Sequence, residues 1–351
     1  MIEAHTLDAW TRAASRSSIA FRNATILGGF AAPMFLWLAG LAVVLSATRT
    51  AARTGNRMRA VDAICRRGLE IFILAFLFRL QAFIVSPGSH PVTIFRVDIL
   101  NVMGPAIVFA GLVWWLADTT SALVVAYAAV AAVAAMVTPV VRTSAAVDAL
   151  PTWMQWYMRP SGEYTTFTLF PWIGFVFAGG AAGALIAAAR DEAGERRLIV
   201  RLAGAGAALV AFGFAAAARP SIYRASYFWT SSPTWFAIRV GIMMTTLAAM
   251  YAALKGRATT AEHGSGTFRV SRGFSPAIDA LARMGRSSLF VYWIHVELVY
   301  GYASWLWWRR LPLWGTAIAF AAFSALMFGA VVLKDRLIAA WCARPAFAHA
   351  G

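Results

Sequence analysis

The chain has little charge and almost no cysteine, and each shortage excludes a class of protein. Charged residues make up 13% of its 351 residues, against about 25% in an ordinary soluble domain. Cys65 and Cys342 are the only cysteines; both fall in segments assigned below to the cytoplasmic face, so no disulfide framework is expected. Acidic groups are scarce, 15 Asp and Glu against 31 Lys and Arg, for a formal net charge of +16. There is no P-loop, no H-E-x-x-H, no Cys/His cluster with metal-ligand spacing, no G-x-S-x-G elbow and no glycine-rich dinucleotide fingerprint. These absences set aside the corresponding chemistries, and no metal is expected. With no solenoid period or low-complexity tract, the chain reads as one domain over residues 1–351.

What the chain does have is apolar length. Hydrophobic residues make up 60% of it and the mean hydropathy is +0.66. A helix needs about 20 apolar residues to cross the hydrocarbon core. Nine segments meet this, near 24–47, 68–86, 94–117, 120–141, 167–189, 198–218, 233–254, 286–308 and 313–334. The expected fold is an all-α polytopic membrane helix bundle. The basic residues are mostly Arg in the short connections: 19 lie on the side of 48–67, 190–201, 255–286 and the tail, and 10 on the other. The positive-inside rule makes the richer side cytoplasmic and the N-terminus external. Anionic lipid headgroups account for this charge, so no nucleic-acid partner is expected. An external start without a leader leads to the expectation that the gene product begins upstream of Met1. One further helix would give ten spans.

Gly179 and Gly183 form a G-x-x-x-G step, the usual signature of close helix packing. Gly28, Gly29 and Pro33 point to a bend or a close backbone approach. The clustered Trp and Tyr of the outer connections read mainly as an interfacial belt, although the W-M-Q-W-Y run (Trp153 to Tyr157) would also offer faces for a sugar.

Polar groups at membrane depth are costly and are functional candidates by default. Arg79 lies in the outer half of the second span, and Arg96 and Asp98 open the third. Asn101, three residues after Asp98, shares its helical face. Arg239 sits two turns inside the seventh span. His295 and Glu297 come near mid-depth in the eighth, with Ser288, Tyr292 and His295 on one stripe. His5 would fall at the outer face. Together these residues suggest a polar cavity open to the outside and reaching the midplane. His90, His263 and His349 lie in loops and the tail and are assigned no role.

Three segments in order resemble the membrane acyltransferases typified by heparan-α-glucosaminide N-acetyltransferase: F-R-V-D-I-L-N-V-M-G (Phe95 to Gly104), F-P-W-I-G-F-V-F-A-G (Phe170 to Gly179) and M-G-R-S-S-L-F-V-Y-W-I-H (Met284 to His295). M-I-E-A-H (Met1 to His5) is similar to the family's methionine-rich turn closed by His, and A-P-M-F-L-W-L-A-G (Ala32 to Gly40) continues the match. The first helix usual in such relatives is expected upstream of Met1. The resemblance implies transfer of an acetyl or other acyl group from cytoplasmic acetyl-CoA or another acyl-CoA to a sugar or glycolipid acceptor across the membrane. It implies His5 as general base, with Asp98 or Asp8 as orienter, and Arg79, Arg96 and Asn101 holding the acceptor or the developing charge. Ser288, Tyr292 and His295 would line the acyl path, and Arg286 would meet the CoA phosphates. The Ala- and Arg-rich composition suggests a bacterial inner membrane, and a homodimer is compatible with the reading. The competing class is a transporter, because buried Arg, Asp and His also suit substrate or proton passage. An inverted repeat would favour it, and none is evident.

Overall fold

The computed structural model describes residues 1–85, 90–262 and 276–342; His263 and His349 fall outside them. In chain order the helices are α1 (Ile2–Trp10), α2 (Ala13–Arg16), α3 (Ile19–Gly28), α4 (Ala31–Thr54), α5 (Arg57–Val85), α6 (Ile99–Leu116), α7 (Thr120–Thr143), α8 (Thr152–Met158), α9 (Leu169–Ala187), α10 (Glu192–Ala217), α11 (Pro233–Glu262), α12 (Pro276–Arg286), α13 (Ser288–Tyr300) and α14 (Leu313–Cys342). The fold is an all-α polytopic membrane helix bundle. Among the described residues, eight helical stretches are long and apolar enough to cross a bilayer, with α3 and α4 counted as one stretch. That stretch is interrupted at Gly29, where a bend was expected.

The eighth expected span differs from its sequence reading. Over 286–308 the continuous helix is only α13, which has 13 residues. At Gly301 the backbone turns extended (φ −83°, ψ −171°), and the apolar run through Trp308 lies in turns. Those turns bring the chain back onto the end of α1: Arg309 N–H donates to the Ala9 carbonyl and Leu311 N–H to that of Trp10, both at 2.9 Å. Hydropathy registers the run's length but not these backbone partners.

Contacts divide the chain into two compact units, one of Met1–Ala31 with Ala261–Gly351 and one of Ala32–Thr260. The second unit is held by helix crossings at which small residues let backbones touch. A Cβ added at Gly179 would stand 1.8 Å from the Trp37 carbonyl oxygen, and one at Gly40 1.8 Å from that of Val176. The G-x-x-x-G step therefore seats α9 directly on α4. Buried polar groups need internal partners in a bilayer. The Tyr127 hydroxyl donates to the mid-helix Ala110 carbonyl at 2.6 Å. The Arg57 guanidinium closes the end of α6 by donating to Trp114, Trp115 and Ala117 carbonyls at 2.7, 3.0 and 2.7 Å.

The first unit has its own apolar core. Trp10 of α1 packs edge-on against Phe323 of α14, ring centroids 5.4 Å apart, amid Val291, Val299, Met327 and Val331. A Cβ at Gly28 would come within 3.1 Å of the Ala4 Cβ, so α3 lies close on α1.

Candidate active site

The first unit gathers both histidines of interest. His5 and Asp8 stand three residues apart on α1 and so share a face. On α13, Val291, His295 and Val299 repeat every fourth residue and are buried, His295 completely; this is the stripe expected of a helix packed on one side. The His5 and His295 rings lie 5.2 Å apart between centroids. Tyr292 meets His295 edge-on at 5.9 Å.

A hydrogen-bonded chain orders this cluster. Tyr300 Oη donates to Asp8 Oδ2 at 2.9 Å and lies 3.1 Å from His5 Nδ1. The phenol has a single proton and gives it to the carboxylate, so it can only accept from His5. His5 therefore carries a proton on Nδ1, and its Nε2 is the nitrogen with the lone pair in the neutral ring. Arg16 holds the far end, with Nη1 3.7 Å from Asp8 Oδ1 and Nε donating to the Thr11 carbonyl at 3.1 Å. His295 is fixed in the same tautomer: its Nδ1 lies 2.6 Å from the Val291 carbonyl oxygen, which can only accept. Among the described residues, no hydrogen-bond partner reaches the buried His295 Nε2.

Sequence reasoning missed Tyr300. It lies five residues beyond His295 and so off the His295 stripe, and no local spacing links it to α1. His5 reaches both rings, with Tyr300 5.4 Å away edge-on.

Just before α13, Ser287 accepts from Lys334 Nζ at 2.6 Å, and Arg283 of α12 pairs with Asp335 of α14 at 2.6 Å. Ser288 begins α13 half-buried, and Arg286 is exposed at the end of α12.

Arg79, Asp98 and Asn101 come together in the second unit. Asp98 caps α6 in a reciprocal box with Asn101 and is ion-paired with Arg79. Arg96 points elsewhere, to Thr166 Oγ1 at 3.0 Å. Val97 bridges to the same segment, with Thr166 N–H donating to its carbonyl at 2.9 Å. Burial raises the Tyr157 phenol above its ordinary value, and the neighbouring Asn101 amide opposes this. Trp156 stacks on Tyr164 with centroids 4.9 Å apart, while Trp153 is exposed. Arg239 lies over the Trp235 ring, 4.7 Å from its centroid. His90 caps the turn Pro91–Phe95. None of the candidate residues lines the cavity of about 780 Å³ found in this unit.

Residues 1–223 match the family described as heparan-alpha-glucosaminide N-acetyltransferase, catalytic. The matched stretch holds His5, Asp8 and the segments Phe95 to Gly104 and Phe170 to Gly179; the His295 segment follows it. No curated protein matches the chain.

Proposed function

The chain belongs to the heparan-alpha-glucosaminide N-acetyltransferase family, and on that premise we propose a catalytic cycle built on His5. Membership makes it a membrane protein of acetyltransferase type. The finer reading is an enzyme, one domain over 1–351, that takes an acetyl or other acyl group from cytoplasmic acyl-CoA. It passes the group to an amino or hydroxyl group of a sugar or glycolipid on the far side of the membrane. The observation that carries this reading is the chain from His5 Nδ1 through Tyr300 to Asp8.

Attack on a thioester requires removal of the acceptor's proton as the new bond forms. His5 Nε2 takes that proton, while the nitrogen or oxygen lone pair of the acceptor bonds to the carbonyl carbon. Asp8, acting through Tyr300, favours the resulting imidazolium and keeps the ring oriented. The carbon–sulfur bond then breaks, and the CoA thiolate recovers the proton from His5. In this scheme Asp8 is the orienting carboxylate, and Asp98 serves the Arg79–Asn101 cluster. That cluster and Arg96 are assigned to the acceptor, Ser288, Tyr292 and His295 to the acyl path, and Arg286 to the CoA phosphates.

The test is binding and turnover of radiolabelled acetyl-CoA by the purified protein in detergent, with glucosamine as acceptor. Binding with release of free CoA and labelled acceptor supports the enzyme. Absence of binding, with glycan flux across proteoliposomes instead, overturns it in favour of transport.

A further inference from the structure

A cavity of about 780 Å³ opens among α7, α9, α10 and α11 of the second unit. This lies within the range of about 300–1,000 Å³ typical of ligand sites. Its walls are small and apolar, with Ala128, Ala132, Ala178 and Ala181 facing Leu209 and Val240. Between membrane helices, small residues ordinarily bring backbones into contact, as where Gly179 of α9 meets α4. Here the same kind of residue borders open volume, so close packing does not account for it.

The mouth of the slot has a different character. It is formed by the connection 219–232, from which Arg219, Ser221 and Tyr223 line the opening. Tyr223 donates to the Met136 carbonyl at 2.9 Å, tying the connection to α7. That connection holds Arg219 and Arg224 and no Asp or Glu, and neither arginine forms an ion pair among the described residues. An apolar slot beneath a mouth of purely positive charge complements a hydrocarbon tail carrying an anionic head.

We propose that this slot binds one bilayer phospholipid with an anionic headgroup, with an acyl chain between the alanine-lined helices and the phosphate at Arg219. Guanidinium groups suit phosphate through paired donors, and a mouth of purely positive charge disfavours a headgroup that also carries a choline cation.

The protein would be reconstituted in nanodiscs of equal phosphatidylglycerol and phosphatidylcholine with matched chains, extracted into detergent, washed, and weighed with its retained lipid by native mass spectrometry. The expected result is a single retained phosphatidylglycerol, favoured several-fold over phosphatidylcholine. Arg219→Gln should abolish the preference, and Ala181→Trp should abolish retention of both lipids. Equal retention of the two lipids by the wild type, or an unchanged preference in Arg219→Gln, would overturn the proposal. Arg219 is exposed and outside the helices, so its variant decides the matter even if Ala181→Trp does not fold.

Discussion

Tyr300 donates its only hydroxyl proton to Asp8, 292 positions earlier in the chain, at 2.9 Å, and that donation fixes which nitrogen of His5 is basic. Phenylalanine at 300 would keep the ring packing and remove the link. Tyr300→Phe is expected to lower acetyl transfer about 10- to 100-fold, as loss of the outer partner of a metal-bound histidine does. Asp8→Asn should act on the same link. The double variant should therefore be no worse than the poorer single one. Initial rates for the four proteins give the coupling, and additive losses would separate the two residues.

His295 tests whether a buried imidazole whose Nε2 has no partner among the described residues has a chemical role. His295→Phe keeps an aromatic of similar girth but removes both ring nitrogens. Transfer should fall at least about 10-fold, in keeping with loss of a polar group from a reaction site, while helix content by circular dichroism is retained. Wild-type turnover in this variant would reduce His295 to packing.

Arg79 and Asp98 can be separated by rescue. Removing one partner of a buried pair strands the other charge, at about 3–5 kcal/mol. Arg79→Met should accordingly lower thermal stability strongly. Asp98→Asn keeps an amide able to cap α6, so the double variant should recover much of the loss in a melting experiment. Recovery of stability without recovery of transfer is the outcome expected if Arg79 also holds the acceptor.

These residues also show how far sequence carries. The glycine step at Gly179 and the break near Gly29 were legible because backbone approach and helix interruption leave their mark in small residues. The shared stripe of Ser288, Tyr292 and His295 followed from helical period. The partner of His5 was not legible: Tyr300 and Asp8 meet because α1 packs against α13, and the turns after Gly301 return the chain to the end of α1. Hydropathy could not register that return, because W-L-W-W is as apolar in a turn as in a span. The pairing of Arg79 with Asp98 was open for a similar reason, since sequence names the charges but not which of them meet.

Gly179 provides a purely structural check. Gly179→Ala places a methyl group against the Trp37 carbonyl, and overpacking of this kind costs about 1–3 kcal/mol. Gly329→Ala, on α14 with nothing within 4 Å of the added carbon, should be neutral or slightly stabilising. Melting temperatures of the two variants in the same detergent should diverge, and equal effects would contradict the α4–α9 crossing.

The central claim is that His5 Nε2 is the base for acyl transfer, and chemical rescue tests it most directly. His5→Gly would be assayed for CoA release from acetyl-CoA in the presence of acceptor, with and without added imidazole. The account predicts a loss of about 10²–10⁴-fold, with activity restored by imidazole in a saturable way. A variant that retains wild-type turnover would contradict it, as would one whose lost turnover no concentration of imidazole restores although the protein still binds acetyl-CoA.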